Sequence, residues 1–296
     1  MKTDIPNILI TGSNGQVGSE IRAIAPAYPQ FKFLFTDRST LPVENNDALE
    51  KYFSNNQISF CINCAAYTAV DIAETEKENA FLINATAAAN LALICKRFDT
   101  GFIHLSTDYV FDGTATQPMD ENHPTHPIGV YGASKLKGEE MVLQNNPEAF
   151  ILRTSWVYSS YGNNFVKTML RLMNERDSIN VVNDQLGSPT YAADLAAVIM
   201  KIINRWESIK SGNRIFNYSN TGIISWFDFA VEIKKITGSE CSVNPIPTSK
   251  YPTLAKRPLY SVLDTAKLKA VFDIEIPSWK ESLIKCLHLL STQKGS

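Results

Sequence analysis

The chain of 296 residues has no uninterrupted apolar run approaching the roughly 18 residues of a membrane span. It has no dominant charge either: 28 Lys and Arg stand against 30 Asp and Glu, a net of −2. Neither a membrane nor a nucleic acid is therefore expected as a partner. Histidine is scarce, with four residues. His123 and His126 have a spacing a metal could use. They sit in a Pro-rich stretch without cysteine or carboxylate ligands at a familiar spacing, and no metal is expected there. Of the five cysteines, Cys61 and Cys64 form a C-x-x-C inside an apolar segment. On a strand, residues three apart lie on opposite faces, about 10 Å apart, while a disulfide needs Cα atoms within about 7 Å. They read as two small core residues. No internal repeat or low-complexity tract occurs. Met1–Pro6 runs into the first apolar stretch without the h-region of a signal peptide, which predicts a cytoplasmic protein.

What is present is alternation. Short apolar runs at Asn7–Thr11, Lys32–Asp37, Phe60–Cys64, Gly101–Ser106 and Ala149–Thr154 read as strands. Helical patterns lie between them at Gln16–Ala25, Ala48–Asn55, Lys77–Phe98 and Ser134–Gln144. This order predicts an α/β fold, a doubly wound parallel sheet (Rossmann fold), with ligands at the carboxyl ends of the strands. Residues 1–156 read as a dinucleotide-binding domain. Residues 157–296 read as a smaller, mixed α/β substrate-binding lobe interleaved with the last elements of the sheet. In that lobe Asn164–Glu175, Ala192–Trp206 and Ser225–Gly238 read as helices, the last with a Ser N-cap. Val181–Val182 and Arg214–Tyr218 read as strands, and Pro245–Pro258 shows no periodicity.

Directly after the first strand comes Thr11-Gly12-Ser13-Asn14-Gly15-Gln16-Val17-Gly18. Gly12 allows the tight turn, Gly15 lets backbone approach a pyrophosphate, and Gly18 lets the helix lie close to the sheet. Exposed N–H groups and a helix N-terminus favour an anion. At the end of the second strand stand Asp37 and Arg38. The acid suits a ribose 2′-OH, as in NAD sites, and the arginine a 2′-phosphate, as in NADP sites. The pair leaves NADPH or NADH open. Ala65-Ala66-Tyr67, after the strand Phe60–Cys64, offer small residues for the adenosine side of such a cofactor.

The second informative segment is Tyr131-Gly132-Ala133-Ser134-Lys135. Four apart on a helix, Tyr131 and Lys135 face the same way. The ammonium is then expected to lower the phenol pKa from its usual value of about 10 and make a proton donor and acceptor. Ser106-Thr107-Asp108-Tyr109 ends the strand before them, so a hydroxyl joins the phenol and the ammonium at the active edge of the sheet. This set can bind a ketone oxygen and protonate it.

Through these segments the chain resembles the extended short-chain dehydrogenase/reductase family, and within it the dTDP-4-dehydrorhamnose reductase branch. The resemblance rests on Gly12–Gly18, Cys64–Asp71, Ser106–Gly113, Tyr131–Lys135, Arg153–Tyr158, Asp184–Thr190 and Arg257–Asp264, seven segments in order. It implies NAD(P)H-dependent reduction of a dTDP-linked 4-keto sugar. Tyr131 is implied as proton donor, Lys135 as its activator and a nicotinamide-ribose ligand, and Thr107 as a ketone ligand. Asp108, Trp156 and Thr68 are implied in the sugar pocket, and Arg257 at the nucleotide diphosphate. Gly15, Gln16, Val17, Asp37, Ala65, Ala66 and Tyr67 are implied as cofactor contacts. Another nucleotide-linked 4-keto-6-deoxyhexose, or a non-catalytic NADP-binding regulatory subunit, are the alternatives. The intact Thr107, Tyr131 and Lys135 argue against the latter. Some members share a magnesium ion between glutamates at a homodimer interface. Here Tyr191-Ala192-Ala193-Asp194 follows Thr190, with alanines where those carboxylates are expected, and Glu20 alone is a thin site for a hard cation. No metal is predicted, and a homodimer is left open.

Overall fold

The computed structural model describes residues 5–206 and 214–293. Met1–Asp4, part of the N-terminal segment read above, lies outside the described residues. Six strands form one parallel sheet. In chain order they are β1 (Asn7–Thr11), β2 (Lys32–Phe35), β3 (Ile58–Asn63), β4 (Gly101–Thr107), β5 (Phe150–Thr154) and Ile215–Tyr218. In space the order is Ile215–Tyr218, β5, β4, β3, β1, β2. The chain leaves β1 outward to β2, then crosses back to β3 on the other side of β1. The switch point therefore lies between the carboxyl ends of β1 and β3, where doubly wound sheets hold ligands.

Helices cover both faces, so strand residues of either parity are buried. Ile8 and Ile10 of β1, Ile62, Ile103 and Leu152 share one cluster with helix α1 (Gln16–Ile24) and the helix Ala192–Asn204. Leu9, Cys61, Phe102 and Ile151 share the other with α2 (Asn46–Asn55) and the helical stretch before β4. Cys61 and Cys64 fall on opposite faces as predicted, and all five cysteines are free.

The stretch expected as one helix over Lys77–Phe98 is helical to Arg97 but not uniformly. After the short α3 (Val70–Ala73) come α4 (Lys77–Phe81), a π-helical segment Leu82–Ala87, and α5 (Ala88–Arg97). Together Lys77–Arg97 are long and apolar enough to cross a membrane by composition, yet over half of that window is buried in the fold. It packs on α6 (Val130–Asn145), where an added Cβ at Gly138 would lie 2.1 Å from the Asn84 carbonyl oxygen. Helix α6 starts four residues earlier than predicted, because the Glu74 carboxylate accepts the Val130 N–H at 2.8 Å and caps it. Strand β2 ends at Phe35 rather than Asp37, since Asp37 closes a turn onto Ser39 and Thr40.

After β5 a third apolar cluster gathers Tyr158, Val166, Phe229, Ile233 and Leu287 beneath the helices Phe165–Glu175, Trp226–Thr237 and Trp279–Gln293. Ser225 caps the second of these through a capping box with Asp228, and Gly238 ends it in the left-handed region. The Val181–Val182 strand extends over Ser178–Val182 and pairs in parallel with Ser242–Ile246, a strand not expected from the sequence, whose last two residues enter the Pro245–Pro258 segment.

Candidate active site

A cleft of about 620 Å³ opens at the switch point. It is lined by Gly12, Gly15, Gln16, Val17, Asp37, Arg38, Ala65, Ala66, Tyr67, Thr68, Tyr131 and Lys135 among others. Gly12 holds φ +60°, and a Cβ there would lie 2.6 Å from the Ala65 nitrogen. Only glycine permits both the turn and this approach of β1 to the segment after β3. Gly15 is the N-cap of α1. No side chain caps that end and no acid stands in its first turn, so its N–H groups remain open to an anion. Gly18 does not line the cleft: a Cβ there would meet Ser13 Cα at 2.5 Å, so it lets α1 lie against the loop. The cradle fits a dinucleotide pyrophosphate.

On the rim, Asp37 accepts from Asn14 Nδ2 at 2.7 Å and from the Ser39 and Thr40 backbone. The Ser39 hydroxyl and these further donors hold its carboxyl down to about 2. Arg38 is 82% exposed and pairs with Glu44 at 3.1 Å. Gln16 ties α1 to the far wall, donating to the Val157 carbonyl at 3.3 Å and accepting from Asn164 at 3.0 Å.

Helix α6 carries the phenol and the ammonium toward the end of β4. The Lys135 Nζ donates to the Leu105 carbonyl at 2.6 Å and faces His104 Nε2 at 3.5 Å. His104 Nδ1 in turn meets the Asn63 side-chain amide at 3.0 Å, and Asn63 Oδ1 accepts from Thr11 and from the Ala65 N–H. A buried chain thus runs from the glycine-rich turn to the lysine. Burial pushes Lys135 down to about 8, partly offset by Glu139.

The expected depression of the Tyr131 phenol by its neighbour is not found. Burial raises it to about 12, against the lowering effect of a hydrogen bond with Thr107, and nearby Asp108 adds to the rise. The reason is geometric: Lys135 shares the helix face but spends its Nζ on Leu105, and it is itself stripped of water.

Thr107, Asp108, Trp156 and Arg257 do not line this cleft. Thr107 ends β4 and accepts the Tyr109 N–H at 3.2 Å. Asp108 is 2% exposed, and burial lifts its carboxyl to about 7 while the Ser261 and Thr107 hydroxyls only partly offset this. The Tyr109 ring meets Tyr131 edge-on at 5.5 Å. Trp156 holds φ +47° and stacks on Trp226 at 3.5 Å, with Gly187 against its edge. Positive φ is rare for a bulky residue and marks a side chain aimed against its local preference. Arg257, expected at a diphosphate, makes a forked pair with Asp71 at 2.7 and 3.1 Å. Glu20 is buried and accepts from Ser159 at 2.6 Å, while Asp194 accepts from Asn220 and Ser282. Among the described residues no group of three His, Cys, Asp or Glu is placed to hold a metal.

A family profile described as RmlD substrate binding domain matches residues 6–292. The chain belongs to this family. The dTDP-4-dehydrorhamnose reductase of Aggregatibacter actinomycetemcomitans is 40% identical over 285 residues, 93% of this chain and 96% of that one. A crystal structure of a Clostridium acetobutylicum dTDP-4-dehydrorhamnose reductase superposes with a TM-score of 0.91 at 41% identity, covering 96% and 99% of the two chains. The Bacillus anthracis reductase, solved in complex with NADP, gives 0.90 at 39% identity with the same coverage.

Sequence reasoning missed several residues of this RmlD-family site. Ser106 and Thr154 line the cleft beside Tyr131, as do Ile83, Gly162 and Asn163. Asn84, inside the π-helical segment, brackets the Tyr67 backbone and donates to Ser134 of α6 at 2.9 Å. An asparagine at the centre of an alanine-rich apolar stretch was its only signal, and π segments often mark such functional positions.

Proposed function

We propose that this protein reduces the C4 ketone of dTDP-4-dehydro-L-rhamnose to dTDP-L-rhamnose with NADPH or NADH. The observation that carries the reading is the meeting of Tyr131, Lys135 and the β4 terminus at the end of a glycine-cradled dinucleotide cleft. The family's named reductases support the substrate. When bound, the cofactor supplies the hydride. Gly12, Gly15, Gln16 and Val17 hold its pyrophosphate end, with Gly18 setting the helix behind them. Asp37 and Arg38 meet the adenosine ribose, and Ala65, Ala66 and Tyr67 form the wall beneath it.

Tyr131 gives its proton to the ketone oxygen. A phenol held at about 12 is fully protonated at neutral pH, which suits a donor. Thr107 hydrogen-bonds the same oxygen and aligns it. Lys135, fixed by Leu105, binds the nicotinamide ribose. Thr68, Asp108 and Trp156 line the sugar pocket, and Arg257 exchanges Asp71 for the diphosphate. In this reading residues 1–156 form the cofactor domain and residues 157–296 the substrate lobe. The protein works in the cytoplasm, without metal, membrane or nucleic acid, as a monomer or homodimer.

The test is oxidation of NADPH and NADH followed with and without dTDP-4-dehydrorhamnose. Turnover should require the sugar. Tyr131→Phe should lower kcat at least 100-fold, the scale of a lost proton donor, with cofactor binding unchanged. A loss under fivefold removes Tyr131 from the chemistry.

A further inference from the structure

Three polar side chains lie on one rung of the sheet, next to Lys135. Thr11, Asn63 and His104 are register partners on β1, β3 and β4. They stand two residues beyond Leu9, Cys61 and Phe102, so they share that face of the sheet. All three are buried, and their hydrogen bonds admit one arrangement. The Ala65 backbone N–H is a donor only, so the Asn63 atom that meets it at 3.2 Å is the carbonyl oxygen. The Thr11 hydroxyl donates to the same oxygen at 2.7 Å. The Asn63 amide nitrogen, a donor without a free lone pair, therefore faces His104 Nδ1 at 3.0 Å. Nδ1 has to accept, which makes the ring a neutral imidazole with its proton on Nε2. Burial and the Lys135 charge oppose an imidazolium as well. Lys135 Nζ thus meets an N–H, at 3.5 Å, longer than a hydrogen bond between nitrogens would be. It donates instead to the Leu105 carbonyl at 2.6 Å.

We propose that Asn63 and His104 are positioning residues that set the direction of the Lys135 donors. Asn63 locks the tautomer of His104. The His104 Nε2–H, which cannot accept, turns the ammonium hydrogens to Leu105 and out to the nicotinamide ribose. The inference rests on the reading of Lys135 as a ribose ligand proposed above. An ammonium has three N–H bonds and no lone pair. Leu105 holds one of them. A ring that accepted would take a second and leave one for the cofactor, whereas a ring that donates leaves two. The other groups that act on Lys135 do not draw these donors away. The Cys64 thiol, just past β3, is pushed up to about 12 by burial and stays protonated. Glu139, one turn along α6, is engaged by Arg153 from β5 and by the Ser106 hydroxyl. The lock begins at Ala65, which lines the cleft. The wall that meets the cofactor therefore also fixes the ring behind the lysine.

Nitrogen-15 NMR of the histidine ring reads the lock directly. His123, His126 and His288 reach solvent, and replacing each by Gln leaves His104 as the only histidine. Its ring should show a protonated Nε2 and a bare Nδ1, unchanged from pH 5.5 to 8.5 and unchanged when NADPH is added. A protonated Nδ1, a ring that titrates in that range, or a proton that moves to Nδ1 on binding overturns the proposal. Asn63→Asp then reverses the lock at nearly constant shape. The carboxylate still accepts from Thr11 and Ala65, but it also accepts from His104 Nδ1–H, which bares Nε2 toward Lys135. By calorimetry NADPH and NADH should each bind about tenfold more weakly, the scale of one charge-assisted hydrogen bond, while ADP, which ends before the nicotinamide ribose, should stay within about twofold of wild type. Equal losses for ADP and the full cofactors overturn the positioning role, and so does no loss at all. If Asn63→Asp does not fold, the ring signals with and without NADPH still decide. If the wild type binds cofactor but fails to oxidise it with dTDP-4-dehydrorhamnose, the proposed reaction is wrong, while the ring signals and the binding split still read His104 and Asn63.

Discussion

Glu139 and Asp108 are equally buried, at 2% exposure each, and opposite in every other respect. Glu139 accepts from Arg153 Nη2 at 2.6 Å, from Arg153 Nε at 2.9 Å and from the Ser106 hydroxyl at 2.5 Å. Among the described residues Asp108 has no ion-pair partner: its Oδ1 accepts the Thr107 hydroxyl at 3.0 Å, and its Oδ2 is bare. The two sit near opposite ends of the same arrangement, Glu139 on the inner face of α6 and Asp108 just past β4. The contrast teaches where charge serves structure and where it serves chemistry. A buried ion with a forked partner is held in place by it. A buried acid without one is poised to change its charge.

The largest effect should come from breaking the satisfied site. Arg153→Met strands the Glu139 carboxylate in the core, where an uncompensated charge costs about 3–5 kcal/mol. Urea unfolding should read that loss, and Glu139→Leu in the same chain should restore most of it. A single-variant loss under 1 kcal/mol would erase the distinction between the two acids.

How far this contrast was legible in the sequence differs by scale. The parallel sheet, the cradle at Gly12–Gly18 and the capped helix after Ser225 depend on local spacing, and local spacing is what a sequence displays. The separation of Cys61 from Cys64 follows from strand pleat alone. The pairings that decide the site do not. Arg257 finds Asp71 across 186 positions, and Glu139 finds Arg153 only because α6 and β5 pack together. Tyr131 and Lys135 were read correctly as neighbours on one helix face. Their electrostatics came out reversed, because burial and the Leu105 carbonyl, both set by tertiary packing, outweigh proximity. The π segment that places Asn84 has no periodic signature, since one widened turn does not change the hydrophobic stripe.

The middle-sized effect concerns the unsatisfied acid and depends on pH. The folded-state pKa of Asp108, about 7, lies above the ordinary 3.8. Its contribution to stability is complete below the unfolded value and is lost as pH rises through about 7. At roughly 1.4 kcal/mol per unit the loss is bounded near 4 kcal/mol, and water entering the cleft reduces it. Asp108→Asn removes the ionisation, so it should gain about 1–2 kcal/mol over wild type at pH 8.5 relative to pH 5.5. Parallel melting curves for wild type and Asp108→Asn across that range would break the comparison.

The smallest effect belongs to the cleft rim, where Arg38 lies in water while Glu44 keeps its Oε2 buried without a partner among the described residues. Arg38 and Glu44 pair at 3.1 Å on the cleft rim with Arg38 largely in water, so the pair contributes only about 0–1 kcal/mol to stability. Its consequence is for cofactor choice. Arg38 is the cation positioned to meet a 2′-phosphate, and Glu44 both occupies it and adds negative charge to the cleft it lines. Asp37, ionised throughout the working range, adds more. Glu44→Gln should free the guanidinium and raise kcat/KM for NADPH about threefold relative to NADH, an effect near 0.6 kcal/mol and in keeping with a screened surface pair. Adding Arg38→Ala should cancel that gain and lower NADPH use below wild type, leaving NADH almost untouched. If Glu44→Gln changes both cofactors equally, Arg38 is a rim charge without a ligand, and only the buried members of the site carry its chemistry.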